Sequence, residues 1–342
     1  MNDMGTINSN GYHLVLPPDE VIFGQSEAMR PVRQMAEQLG EVDLPVLIYG
    51  ETGTGKEVLA NYIHRRSARK GGTCVKIGCA AIPASLLEAE LFGYEQGAFT
   101  GAYSSKPGLV EAADGGTLLL DDIAELDITL QAKLLQVLQD GTFTHIGGQH
   151  EQKVDARVIC VTSRNLQDDI AQKRFRLDLF HRINGATFRV PELRERSEDI
   201  PAIADYLIEL FNETFGTSAY PLSPAMCRRL QQYRWPGNIR ELENVLRRYV
   251  ILGTPDAIAQ DISRRSFAFA PTELPTHRHL PLKARTQQLV REVETQAILR
   301  VLQLNNWNRR KSAQVLNISY RALLYKIRSA GIGEYCPPKR AS

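Results

Sequence analysis

The sequence predicts an α/β fold: a parallel sheet with helices on both faces, followed by an α-helical subdomain and a C-terminal all-α domain. Three observations predict it. Short β-branched runs alternate with amphipathic helical stretches from Val21 to about Arg194. After Pro191 the apolar spacing becomes purely helical. Finally, the whole chain carries only +2, yet Lys283 to Arg328 holds ten Lys/Arg against Glu292 and Glu294, a net +8 that leaves −6 for everything else. Such asymmetry marks a separate basic module with nucleic acid as its partner.

In chain order, residues 1–20 are polar and read as a tail, without the basic start and apolar block of a signal peptide. Strands are expected at Val46–Tyr49, Thr73–Ile77, Thr117–Leu120 and Val158–Thr162, with helices after Lys56, Pro83, Thr129 and Asp168. The α/β part then spans 21–194. A helical part over 195–255 contains Ile200–Phe215, Pro224–Tyr233 and Ile239–Ile251. A linker at 256–284 includes the proline-rich Phe267–Pro281. The basic domain covers 285–332, with helices at Arg285–Leu304, Arg309–Leu316 and Ser319–Ala330, and a tail closes the chain at 333–342. A length of 342 residues fits two or three domains, and 43% hydrophobic with 23% charged residues excludes a disordered chain. No apolar run approaches the ~20 residues that span a bilayer. Five cysteines without a Cys-x-x-Cys pair point to neither a disulfide framework nor a zinc site, so the cytoplasm is the expected compartment.

The chemistry begins at Gly50-Glu51-Thr52-Gly53-Thr54-Gly55-Lys56, between a strand and a helix. Glycines there let backbone N–H groups turn inward around an anion, the helix N-terminus adds its positive end, and Lys56 reaches the β/γ-phosphates. A glycine-rich turn without a ligand is the competing reading, and the flanking strand and helix argue against it. The next residue, where Ser or Thr often holds magnesium, is Glu57. An apolar strand ending in Asp121-Asp122 follows about seventy residues on. One carboxylate can hold a hydrated Mg²⁺ while the other polarises a water. ATP and Mg²⁺ are the expected cofactors.

Glu90-Leu-Phe-Gly-Tyr-Glu-Gln-Gly97-Ala98-Phe99-Thr100-Gly101-Ala102 has no explanation in general spacing rules. Together with Gly50–Glu57, Gly115–Leu126, Phe175–Arg182, Leu193–Arg196 and Trp235–Glu243, it closely resembles the bacterial enhancer-binding proteins, the AAA+ ATPase activators of sigma-54 RNA polymerase (NtrC/PspF type). The resemblance implies that Gly97–Ala102 contacts sigma-54 and moves with nucleotide state. It implies that Arg176 and Arg182 are arginine fingers reaching the γ-phosphate of a neighbouring subunit, and that Arg240 is the sensor II arginine of a helical lid. It also assigns Asp121 to the metal, Asp122 to catalysis and Ser163 to sensor I. A homo-oligomer, dimer to hexamer, is implied with it.

Three positions depart from the family. Its second acid is usually Glu, here Asp122; its strand usually ends Asn-Cys-Ala-Ala, here Gly78-Cys79-Ala80-Ala81; and its sensor I Asn is here Ser163. In relatives that Asn and Glu form a switch pair, which Gly78 cannot make. Slower or differently regulated hydrolysis is the expectation, since a base held at the wrong distance slows a reaction.

Asn308 to Lys326 has the form of a helix-turn-helix and resembles the Fis-type module of this family. Ala313 is small where helices cross, Leu316, Ile318 and Leu324 are expected in the core, and Ser319 caps the second helix. Asn317 stands where Gly is common and tolerates a left-handed backbone. Tyr320, Arg321, Tyr325 and Lys326 are the candidates to face DNA, with Arg309, Arg310, Lys311 and Arg328 nearer phosphates. The helix Val290–Leu304 offers a dimer face.

The combined expectation is a sigma-54-dependent activator. It binds double-stranded enhancer DNA, assembles a ring, and spends ATP hydrolysis on the sigma-54 RNA polymerase closed complex, with no membrane involved. With only twenty residues before Val21, control is expected from outside the chain: a regulatory protein acting in trans, whether inhibitor or co-activator, or the level of expression. Two rivals are a DNA-binding regulator whose ATP site only supports oligomers, and an AAA+ remodeller of another substrate, against which the intact Gly97–Ala102 motif counts.

Overall fold

The computed structural model describes residues 16–80, 83–253, 298, 301, 302, 305, 307–316 and 318–329, with backbone alone for 328 and 329. Two compact units divide the chain, 1–268 and 269–342.

In the first unit β1 (Val46–Tyr49), β2 (Cys74–Gly78), β3 (Thr117–Asp121), β6 (Arg157–Thr162) and β7 (Ala186–Arg189) form one sheet in the order β2-β3-β6-β1-β7, every pair parallel. A separate antiparallel hairpin joins β4 (Thr142–Thr144) to β5 (Glu151–Lys153). Helices α1 (Asp19–Ile22), α2 (Arg30–Leu39), α3 (Lys56–Arg66), α4 (Ala84–Phe92), α5 (Leu109–Ala112), α6 (Ile128–Asp140), α7 (Leu166–Ala171) and α8 (Leu177–Ile183) accompany the strands.

Successive side chains of a strand point to opposite faces, and both faces here are covered. Leu118 and Leu120 join Leu47, Ile77 and Val158 under α4, α6 and α8. Leu119 joins Val46, Ile48, Ile159 and Val161 under α2 and α3. That is why Thr117-Leu-Leu-Leu reads as a continuous apolar run rather than an alternation. The four expected strands are present with ends shifted by one residue or none, whereas β7 and the hairpin had no sequence counterpart. Only Phe188 of β7 is buried, at one edge of the sheet, and β5 is Glu-Gln-Lys.

A helical subdomain follows: α9 (Ile200–Phe215), α10 (Pro224–Gln232) and α11 (Asn238–Leu252) around a core of Ile203, Leu207, Phe211, Leu230, Trp235, Leu242 and Leu246. Trp235 is fully buried, and its indole donates to the Leu230 carbonyl at 2.7 Å. Asp199 accepts from the backbone N–H groups of Gln25 and Ser26 and the Ser26 hydroxyl, clipping the N-terminal segment to the start of α9. No described helix is long and apolar enough to cross a membrane.

The second unit contains α12 (Arg309–Val315) and α13 (Tyr320–Ser329). Its core is Ile298, Leu302, Ala313, Leu323 and Ile327, with Leu316 and Ile318 half-buried against it. This corrects one expectation: Leu323, four residues before Ile327, takes the inward position, and Leu324 is half-buried. Ser319 accepts from the Ala322 N–H at 3.1 Å as a cap should, and Asn308 caps α12 through the Lys311 N–H at 3.2 Å. Asn317, the linker Phe267–Pro281, most of the helix Val290–Leu304, and Cys336 lie outside the described residues.

His64 is a buried titratable group far from any proposed chemistry, with Nδ1 2.8 Å from Thr117 Oγ1. Burial first, then Arg157 and Arg65, push its pKa down from 6.5 to about 4. The unfolded chain therefore binds the extra proton between those values. His64's contribution to stability is complete above pH 6.5 and is lost as pH falls toward 4. Unfolding free energy is expected to drop by about 1–2 kcal/mol from this group between pH 7 and pH 5. Urea titrations should show a shallower pH slope in His64→Gln; an unchanged slope would remove His64 as the cause.

Candidate nucleotide site and projecting loop

The strand order places β6 between β1 and β3, so the C-terminal ends of three neighbouring strands converge. Gly50 follows β1, Ser163 follows β6, and Asp121 ends β3 with Asp122 after it. Ligands of parallel α/β sheets bind at such ends. A cavity of about 460 Å³ opens there, lined by Lys56 and Glu57 at the start of α3, by Asp121 and Asp122 at the end of β3, and by Arg196, Arg240 and Glu243 from the helical subdomain.

The loop Gly50–Gly55 is built against that subdomain. Gly53 has φ +81°, and a Cβ there would lie 2.5 Å from the Gly237 carbonyl oxygen, so glycine is required twice over. Asn238 donates from Nδ2 to Glu51 Oε2 and the Thr52 carbonyl, both at 3.1 Å, and accepts from the Leu193 N–H at 2.8 Å. The Ile239 N–H donates to the Gly53 carbonyl at 2.9 Å, and Arg196 donates to that of Thr54 at 2.6 Å. Arg194 pairs with Glu51 at 3.0 Å and also with Glu192. Burial pushes Arg196 down to about 10, against the pull of Asp199. These subdomain residues escaped the sequence reading. Their signal was the position of Arg194, Arg196 and Asn238 inside two quoted motifs, but motif membership does not say what a side chain touches.

Lys56 is 7% exposed, and its ammonium donates to the carbonyls of Gly50 at 2.8 Å and Glu51 at 2.9 Å. Burial lowers its pKa, which Asp122 and Asp121 partly offset. An ammonium so placed is desolvated and directed at the loop interior, where an anion gains most from it. Asp122 adopts φ +55°, and its Oδ1 accepts from the Ser163 hydroxyl at 3.3 Å. Asp121 is paired with Lys76, which also pairs with Glu57. Two hard carboxylates at a half-exposed strand end fit a hydrated Mg²⁺, which keeps several waters and takes few protein oxygens.

Gly78 stands opposite Asp121 in the β2–β3 register, without a side chain to meet Asp122. Arg176 and Arg182 are not among the residues lining the cavity. Arg176 is held by Asp178 at 2.7 Å, and Arg182 donates to the Leu138 carbonyl at 2.6 Å.

β2 leads in sequence to α4 and then to a projecting loop. At its root the backbones of Tyr94 and Lys106 exchange two hydrogen bonds, and Glu95 and Gly93 bond Ile146 of the β4–β5 connection. His145 bridges Glu95 at 2.9 Å and Glu111 at 2.6 Å. Burial pulls its pKa down, but the hydrogen bonds with the two carboxylates outweigh that and raise it. The loop closes through Gly97 N–H to the Ala102 carbonyl at 2.9 Å. Phe99, 44% exposed, sits edge-on to Tyr94 with ring centroids 4.9 Å apart, and Thr100 is exposed beside it. Gly101 has φ +114°, which a side chain would strain.

In the second unit Arg309, Arg310, Lys311, Tyr320, Arg321 and Tyr325 are exposed and Lys326 is half-buried. Arg321 and Tyr325, four residues apart, share one face of α13.

The chain matches the Sigma-54 interaction domain over residues 22–189, the AAA+ ATPase lid domain over 194–280, and the bacterial regulatory protein, Fis family, over 289–329. It is 37% identical over 316 residues to the response regulator protein PilR of Pseudomonas aeruginosa, covering 92% of this chain and 71% of that protein. Regulatory protein AtoC of Escherichia coli is 41% identical over 315 residues, covering 91% of this chain and 68% of AtoC. The Nif-specific regulatory protein of Enterobacter agglomerans is 40% identical, with 90% of this chain matched to 59% of that protein. Among solved structures, NtrX from Brucella abortus in complex with ATP is similar with a TM-score of 0.65 and 32% identity, covering 90% of this chain and 68% of NtrX.

Proposed function

Because the chain belongs to the family of sigma-54-dependent AAA+ transcriptional activators, we propose that it couples MgATP hydrolysis in the Lys56–Asp121–Asp122 pocket to contact between Phe99, Thr100 and sigma-54. The observation that carries this reading is the arrangement at one pocket: a buried lysine, two strand-end carboxylates and a lid arginine, on a sheet whose second strand leads to the exposed loop.

Each residue then has a task set by its chemistry. The loop N–H groups and Lys56 bind the phosphates. Asp121 would hold Mg²⁺, which would supply charge neutralisation at the phosphates. Asp122 orients the attacking water, and Ser163 fixes the Asp122 carboxylate. Arg240 follows nucleotide state from the lid. Arg176 and Arg182, engaged on their own protomer outside its pocket, act across the interface of a cytoplasmic ring, hexameric as in the family. The exposed face of α13 reads enhancer DNA while Arg309, Arg310 and Lys311 approach phosphates. A regulatory protein acting in trans fits the same scheme.

Asp122 is one methylene shorter than the family's Glu, and Gly78 offers no switch partner, so hydrolysis is slow relative to a restored site. The double variant Gly78→Asn, Asp122→Glu is expected to raise phosphate release about tenfold. Equal rates in native and restored protein would defeat the claim. The same two positions favour the alternative in which ATP only supports oligomers. That alternative requires native phosphate release at the level of Lys56→Ala.

A further inference from the structure

β2 runs Cys74-Val75-Lys76-Ile77-Gly78, a lone cation in a strand whose apolar residues are buried. Its ammonium lies 2.7 Å from Glu57 Oε2, in the first turn of α3, and 3.4 Å from Asp121 Oδ2. The side chain is only 23% exposed, which strengthens both ion pairs relative to the open surface. One cation thus joins the helix that begins at Lys56 to the end of β3. Gly78, directly across from Asp121, has nothing to offer that carboxylate, whereas Lys76 two residues earlier on the same strand face reaches it.

We propose that Lys76 is a positioning residue that exchanges partners with the metal. It neutralises Asp121 in the metal-free pocket, releases it for ligation, and stays on Glu57, so that metal loading is registered on the strand that leads to α4 and the projecting loop. The inference rests on the assignment of Asp121 to magnesium. The electrostatics are direct. Glu57, Asp121 and Asp122 crowd three carboxylates into one site, and Lys76 compensates them without competing for phosphate as Lys56 does. A fixed positive charge beside Asp121 also opposes a dication there. Removing it makes the site more attractive to Mg²⁺ and less tolerant of nucleotide without metal.

The test is magnesium titration of fluorescent N-methylanthraniloyl-ADP binding to the full chain, comparing native protein with Lys76→Met, Lys76→Arg and Asp121→Asn. Lys76→Met is expected to lower the half-saturating magnesium roughly three- to tenfold and to weaken nucleotide binding in EDTA. Lys76→Arg, which keeps the charge, is expected to stay within about twofold of native. A lysine with a merely structural role would leave the magnesium midpoint in place. Should Lys76→Met fail to fold, Lys76→Gln carries the same expectation. A Met or Gln variant with the native midpoint, or one needing more magnesium, overturns the exchange while leaving the pocket assignment standing if Asp121→Asn shifts the titration. An unshifted Asp121→Asn overturns that assignment and the exchange with it.

Discussion

Arg176→Ala is expected to lower phosphate release about a thousandfold while nucleotide affinity stays within about threefold of native. The reason is where the guanidinium stands. It pairs with Asp178, and it is absent from the set of groups lining the pocket of its own protomer. A group that stabilises charge spreading over the transferred phosphoryl must reach that phosphoryl, and in the proposed ring that phosphoryl is a neighbour's. Affinity is expected to be preserved because the proposed ground-state contacts are those of Lys56, the loop N–H groups and the lid. The prediction has a second arm that a folding defect cannot mimic. Mixed with Lys56→Ala protomers, themselves inactive, Arg176→Ala protomers should regain a measurable fraction of turnover. Some interfaces then pair an intact pocket with an intact finger. Retention of more than about a tenth of the native rate by Arg176→Ala alone, or mixtures as dead as their parts, would place the finger elsewhere.

The phosphate loop, the paired aspartates and four of the five strands of the parallel sheet were legible in the sequence because each is a local signal. A glycine spacing, an apolar run covered on both faces and a strand-to-helix boundary survive without knowledge of the fold. What the sequence hid was contact between distant segments. Asn238 lies 187 residues from Glu51 and Arg196 lies 142 from Thr54, so their hydrogen bonds to the loop follow from packing alone. Lys76 was hidden differently. A lysine in a strand reads as a solvated residue until the fold shows its side chain reaching Asp121, two positions beyond its register partner Leu119. The inward residue of α13 was misassigned for the same reason that helix faces often are. Leu323 and Leu324 are adjacent, both leucine, and only the partner helices decide between them. His145 lies in an exposed hairpin connection whose sequence has little apolar periodicity, so its bridge to Glu95 and Glu111 left no trace in the pattern.

Replacing Phe99 or Thr100 by Ala is expected to reduce open-complex formation by sigma-54 polymerase at least about a hundredfold, with phosphate release within about threefold of native and enhancer binding unchanged; a hundredfold corresponds to about 2.7 kcal/mol. That is the scale of burying one phenyl ring on a partner, about 2–3 kcal/mol, or of stranding a buried polar group on the polymerase side. The loop is suited to losing a tip without losing its fold. Its closing hydrogen bonds are between backbone atoms, Gly97 to Ala102 and Ala102 to Phe99, and its root is held by backbone hydrogen bonds of Tyr94, Lys106 and Ile146, which the substitutions leave in place. Phe99 does rest on Tyr94, so Phe99→Leu serves as the control that keeps an apolar tip without the edge-to-face contact. If phosphate release falls in step with activation, the loop is feeding back on the pocket rather than delivering its output. If activation survives both alanines, sigma-54 is contacted elsewhere, and the exposed Tyr103 beside the loop becomes the next residue to replace.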